Sequence, residues 1–115
     1  MRIRVRAALL ETLPSGDASI EVVATKLAIS KRTLQRRLGL EETTFSDVLD
    51  ETRRELALYY IRNTEYPVAE FSFLLGYAEV TSLYRAFHRW TELTPDEMRR
   101  SESKTTEPGS SAGNS

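Results

Sequence analysis

Thr43-Thr44-Phe45-Ser46-Asp47-Val48-Leu49-Asp50-Glu51-Thr52-Arg53-Arg54-Glu55-Leu56-Ala57-Leu58-Tyr59-Tyr60-Ile61-Arg62-Asn63 is the stretch on which the rest of the chain turns. Neither Gly nor Pro interrupts it before Pro67, so it predicts one long helix over residues 44–63. Thr44 supplies a capping hydroxyl, and Asp47, three residues on, places an acid where the helix dipole favours it. At about 100° per residue, Phe45, Val48, Leu49, Thr52, Leu56, Tyr59 and Tyr60 fall on one stripe. Ala57 and Ile61 lie away from that stripe, and Leu58 elsewhere again. The first half is therefore amphipathic and the second apolar nearly all round, which predicts burial on all sides. A central helix with packed material on both flanks follows.

The 115 residues allow one ordinary domain or two very small units sharing a core. A hydrophobic content of 40% supports that core, while five glycines and almost no two-residue alternation favour an all-α fold. The absence of cysteine excludes disulfides, a thiol nucleophile and Cys-based metal sites, and the single His88 excludes multi-histidine ones. No apolar run nears the ~18 residues of a membrane span, and no secretory pattern opens the chain, so a cytoplasmic location is expected. A net charge of −1 means that any nucleic-acid reading rests on local charge placement.

Before the central helix, Arg2, Ile3, Arg4, Val5 and Arg6 alternate in the manner of a short strand. The Ala7-Ala8-Leu9-Leu10 that follows favours a helix ending at Pro14-Ser15-Gly16. Ser19 caps a short helix through Leu27, and Ser30 caps a second from Lys31 to Leu38. After it, Pro67 suits a first helical position and Gly76 a left-handed helix end around a helix over 68–75. Helices over 80–90 and from Thr94 onward complete the set, and a disordered tail is expected over 101–115.

The two flanks resemble each other. Ile20, Val23, Ala24 and Leu27 recur as Val68, Phe71, Ser72 and Leu75; Leu34, Arg36 and Leu38 recur as Leu83, Arg85 and Phe87. Each unit is a helix with a small residue midway, a tight turn and a second helix held by apolar anchors, the pattern of a helix-turn-helix. With Leu34 and Leu38 inward, Arg32 and Arg36 point outward, flanked by Thr33 and Gln35. In the second unit Thr81 and Arg85 point outward, with Ser82, Tyr84, His88 and Arg89 on the flanks. Arg pairs bidentately with guanine, Gln with adenine, and Thr touches a thymine methyl. Ser30 and Lys31, at a helix start, suit phosphates. A merely solvated helix face is the alternative, and the duplication argues against it.

Several segments together carry a family resemblance: Thr33-Leu34-Gln35-Arg36-Arg37-Leu38, Arg53-Arg54-Glu55-Leu56-Ala57, Phe73-Leu74-Leu75-Gly76-Tyr77, and Ser82-Leu83-Tyr84-Arg85-Ala86-Phe87-His88-Arg89-Trp90-Thr91 with Thr94-Pro95. The chain resembles the DNA-binding domain of AraC/XylS-type bacterial transcription regulators from about residue 9 to 100. The resemblance implies seven helices over 1–100, with helix-turn-helix units near 19–40 and 67–91 joined by the linker helix 44–63. It implies base contacts from Arg32, Gln35 and Arg36 and from Val80, Thr81, Tyr84 and Arg85, with duplex DNA as partner and no cofactor. Arg89 and Arg99 are expected on phosphates.

The chain departs from the family pattern in several places. Ala28 and Glu42 stand where the family often has Gly, so strain of about 1 kcal/mol is expected in the turn at Ala28. Ala78 replaces a usual polar cap, which predicts a weak start to the second reading helix. Val80 can touch only a thymine methyl, so the second unit is expected to read less sequence than the first. His88 reads as a surface residue and Trp90 as a core plug. The acids Asp47, Asp50 and Glu51 form either a solvated face or a contact surface for RNA polymerase. Members usually carry a ligand-sensing or dimerisation domain before this one. A C-terminal piece of a longer regulator is therefore expected, with a free-standing small regulator as the alternative, monomeric by itself and dimeric, if at all, through that domain. The competing class is a helical protein-interaction module; an enzyme is not expected, because no nucleophile–base constellation or phosphate-cradling loop is present.

Overall fold

Four side-chain caps open four helices. In the computed structural model, which describes residues 1–106 and side chains as far as Glu102, the hydroxyl of Ser19 accepts from the N–H of Val22, that of Ser30 from Thr33 and that of Thr44 from Asp47. Thr94 and Glu97 close a full capping box: Glu97 N–H donates to the Thr94 hydroxyl, and Thr94 N–H donates to the Glu97 carboxylate. The resulting order is α1 (Arg2–Thr12), a 3-10 turn (Leu13–Ser15), α2 (Ile20–Lys26), α3 (Lys31–Leu40), α4 (Phe45–Asn63), α5 (Val68–Leu74), α6 (Val80–Thr91) and α7 (Pro95–Thr106). No strand occurs among the described residues, so the expected all-α fold of seven helices holds. None of these helices is long and apolar enough to cross a membrane.

The opening Arg-alternating segment is helical, as the Ala-Leu run after it favours. Pro67 caps α5 from outside and is not its first residue. Helix α7 runs on to Thr106, past the expected tail boundary at 101, and the remainder of that tail lies outside the described residues.

Helix α4 buries opposite faces in its two halves. Val48 and Thr52 go into a first core with Val5, Leu9, Val23 and Leu34. Ala57 and Ile61 go into a second with Phe71, Leu75, Leu83 and Phe87. From Val48 to Ala57 is nine residues, or about 900°, which leaves the second face half a turn from the first. Leu56 lies between and packs on both cores. The expected burial of the second half on all sides is therefore not found: Tyr59 lies on the first-core stripe but beyond the first core, and is 55% exposed. Thr52 resolves its burial by donating its hydroxyl to the Val48 carbonyl at 2.7 Å.

One arginine ties a helix end across the molecule. Arg53 of α4 donates from Nε to the Leu75 carbonyl at 2.9 Å and from Nη2 to the Gly76 carbonyl at 3.3 Å, with its guanidinium 4.3 Å from the Tyr77 ring centre. Burial pushes the Arg53 pKa down from its ordinary value, against the opposing pull of Tyr77 and Asp50. It thus caps the end of α5 from the linker helix. Arg53→Met should destabilise the fold by about 2–3 kcal/mol, because it strands carbonyls that were bonded to a cation. Chemical denaturation checks this, and a loss below about 0.5 kcal/mol would show that water caps α5 equally well.

Candidate nucleic-acid interface

Both helix-turn-helix units end their first helix in the same way. In the first, Ala28 N–H donates to the Thr25 carbonyl and Ile29 N–H to that of Ala24, both at 3.0 Å. In the second, Gly76 N–H donates to Phe73 at 2.9 Å and Tyr77 N–H to Ser72 at 3.2 Å. This is one Schellman pattern used twice, with Ala28 at φ 60° and Gly76 at φ 86° in the left-handed position. The pattern appears a third time after α3, where Glu42 has φ 60°. The strain expected at Ala28 therefore has a geometric basis, and Glu42 shares it. The small residues Ala24 and Ser72 are buried at the matching mid-helix positions, so the internal repeat holds in three dimensions.

Helix α3 turns Leu34 and Leu38 into the first core and leaves Arg32, Gln35 and Arg36 exposed, with no hydrogen bond or ion pair to any described residue. Ser30 and Thr33 lock the start of the helix: besides its cap, Ser30 donates its hydroxyl to Thr33 Oγ1 at 2.9 Å. Thr33 is half-buried, and its hydroxyl oxygen is occupied by this bond. Lys31 reaches Glu21 of α2 at 3.2 Å with both side chains largely exposed, an ion pair that a phosphate can displace at little cost.

Helix α6 rests on Leu83 and Phe87 and presents Thr81 and Arg85 to solvent, neither with a partner among the described residues. Its N-cap is Glu79, not Ala78, and no side chain accepts there, so the weak start has a basis one residue later than expected. Val80 is half-buried against the second core and is turned inward, away from the outward position expected of a base contact. Tyr84 is half-buried too, and its hydroxyl donates to Asp96 Oδ2 of α7 at 2.6 Å. That bond, with burial and the carboxylate's charge, pushes the phenol pKa up to about 12.

The two outermost cations are put to other uses. Arg89 forms a two-pronged pair with Asp50 of α4, Nη2 to Oδ1 at 2.9 Å and Nη1 to Oδ2 at 3.2 Å, and Trp90 Nε1 donates to the same Oδ2 at 3.0 Å. Burial alone would raise the Asp50 pKa, but the bonds from Arg89 and Trp90 hold it below the usual carboxylate range. Arg99 donates to the carbonyls of Tyr66 at 2.7 Å, Tyr60 at 3.0 Å and Thr64 at 3.3 Å, closing the end of α4. Its guanidinium is committed to the backbone, so the expected phosphate role of Arg99 does not fit. The acidic cluster is likewise spoken for in part, since Glu51 pairs with Arg2 at 2.7 Å and Asp50 with Arg89. Trp90 fills the edge of the second core, as expected, while its ring nitrogen serves Asp50.

The sequence and the fold match known proteins. A family described as a helix-turn-helix domain matches residues 23–101. The ornithine utilization regulator of Pseudomonas aeruginosa is 38% identical over 96 residues, covering 84% of this chain but 28% of that protein. The regulatory protein SoxS of Escherichia coli is 34% identical over 82 residues, 70% of this chain and 77% of SoxS. The DNA-binding domain of AdpA, a global transcriptional factor solved in complex with a target DNA, superposes with a TM-score of 0.77 at 24% identity, covering 91% of this chain and 95% of that one. At that identity the likeness concerns the fold. With two capped helix-turn-helix units on a shared linker helix and a family match over most of its length, the chain belongs to the AraC/XylS-type helix-turn-helix domains of transcription regulators.

Proposed function

We propose that the domain binds duplex DNA by setting α3 and α6 into two successive major grooves, as the DNA-reading part of a transcription regulator. Arg32, Gln35 and Arg36 read bases from the first helix, and Thr81 and Arg85 from the second. Lys31 holds a phosphate at the start of α3. Thr33, Val80 and Tyr84 keep their helices in place from partly buried positions. The observation that carries this reading is the unpaired, exposed set Arg32, Gln35, Arg36 and Arg85 on the second helices of two like units. Such side chains have bidentate chemistry for base edges and no competing intramolecular use. The chain spans 28% of the length of the first curated relatives it matches. By itself the domain acts as a monomer, because one chain supplies both reading helices.

Site selection from random duplexes supplies the preferred sequence for the test. Gln35→Ala or Arg36→Ala should then cost about 1–3 kcal/mol on that sequence and relax preference at one position each. Equal weakening on every duplex would move those side chains to the backbone. Lys31→Ala should lower the slope of log affinity against log salt by about one. Arg89→Ala should leave the slope nearly unchanged, because Asp50 already neutralises that charge. A drop of about one for Arg89 as well would put it on a phosphate. The net charge of −1 favours the competing protein-interaction module, and failure to bind any duplex even at low salt would support that module.

A further inference from the structure

Helix α6 is gripped by a carboxylate on each flank. At about 100° per residue, Tyr84 sits some 100° to one side of Arg85, and Arg89 and Trp90 some 40° and 140° to the other. Tyr84 is held by Asp96 of α7, and Arg89 and Trp90 by Asp50 of α4. Leu83, Ala86 and Phe87 are buried, with Val80, Tyr84 and Trp90 packed beside them, so apolar contact fixes how deeply the helix sits, but such contact is non-directional. Directional bonds from two different helices remove the roll. Helix α3 has no counterpart among the described residues: its own start is tied by Ser30, and Lys31 pairs loosely with Glu21 of the same unit.

Acids beside a reading helix are costly near phosphates, since each opposes the electrostatic attraction that supplies most non-specific affinity. The bonds they make to α6 give them a positional task. We propose that Asp50 and Asp96 are positioning residues that fix the roll of α6 against the linker helix, and with it the one spacing at which the second half of a DNA site is read. The proposal rests on the duplex-DNA reading above and adds what sets the half-site spacing.

The test uses the whole chain and the duplex that the wild type selects. Affinity is compared for that duplex and for versions with one base pair added or removed between the two contacted segments, a change of about 34–36° in facing. The wild type should lose about tenfold for either change, comparable to one mismatched base pair. The double variant Asp50→Ala/Asp96→Ala should lose less than about threefold on the same comparison, while binding a duplex with only the first segment at least as tightly as the wild type, since two negative charges are gone. Asp96→Asn keeps an acceptor for Tyr84, so it should retain the wild-type spacing penalty while binding all duplexes more tightly. Trp90 is the only tryptophan, so Asp50→Ala should shift its fluorescence to the red as water replaces the carboxylate, and Asp96→Ala should not. A double variant with the full wild-type spacing penalty, or an unshifted Trp90 spectrum in Asp50→Ala, would overturn the proposal alone. A wild type that selects no duplex would overturn the DNA reading and the proposal together.

Discussion

Gly76→Ala should destabilise the protein by about 3 kcal/mol, whereas the same chemistry run backwards at the matching position, Ala28→Gly, should stabilise it by up to about 1 kcal/mol. Both residues fill the left-handed position of the same turn, so backbone strain alone predicts changes of similar size and opposite sign. The difference comes from what surrounds them. A Cβ at Gly76 would lie 3.0 Å from Leu13 Cδ2, 3.2 Å from Arg53 Nη2 and 3.3 Å from the Leu13 carbonyl oxygen. Leu13 is fully buried and Arg53 is bonded to the Leu75 and Gly76 carbonyls, so neither gives way freely. Ala28 already carries its Cβ on an exposed turn. Gly16 separates the two contributions: it has φ 83°, and a Cβ there would meet nothing within 4 Å. Gly16→Ala should therefore cost strain alone, about 1 kcal/mol. For a domain of this size, 3 kcal/mol lowers the melting temperature by roughly 12–24 °C. Thermal unfolding of the three variants checks the ranking, and equal losses at Gly16 and Gly76 would show that crowding by Leu13 is not felt.

Local signals in the sequence are the readable ones. Ser19, Ser30, Thr44 and Thr94 each lie within three residues of the amide they cap, so a pattern over four residues locates the helix starts. The repeat of Val23 and Ala24 as Phe71 and Ser72, and of Leu34 and Leu38 as Leu83 and Phe87, places both cores and both outward faces. Periodicity also separates Ala57 and Ile61 from the Val48 stripe, but it does not say where the first core stops, and so it puts Tyr59 inside when the fold leaves it outside. The partners of the charged residues are hidden for a different reason. Arg89 meets Asp50 across 39 positions, and Arg99 meets Tyr60 across 39 and Tyr66 across 33. No local pattern distinguishes an arginine that will find a carboxylate or a helix end from one left for DNA. The folded chain removes Arg53, Arg89 and Arg99 from the candidates, and of the arginines left without a partner Arg32, Arg36 and Arg85 are ones that lie on the second helices of the two units.

The linker helix turns two short units into one reading device. At about 1.5 Å per residue, the 19 residues of α4 span roughly 28 Å, against about 34 Å between successive major-groove openings on one face of B-DNA. The remaining few ångströms are within reach of a modest DNA bend, at a cost on the order of 1–6 kcal/mol. Stiffness comes from an uninterrupted helix packed into a core at each half, with Arg53 and Asp50 fastening the second unit to it. The most direct measurement is therefore a footprint of the domain on its selected duplex, before and after inserting about 5 base pairs between the two protected segments, roughly half a helical turn. A rigid linker predicts two segments about one turn apart before the insertion and protection of the first segment alone after it, because the second then faces away. Two protected segments of unchanged strength after the insertion would contradict the account, since α3 and α6 would then be free to find their grooves independently.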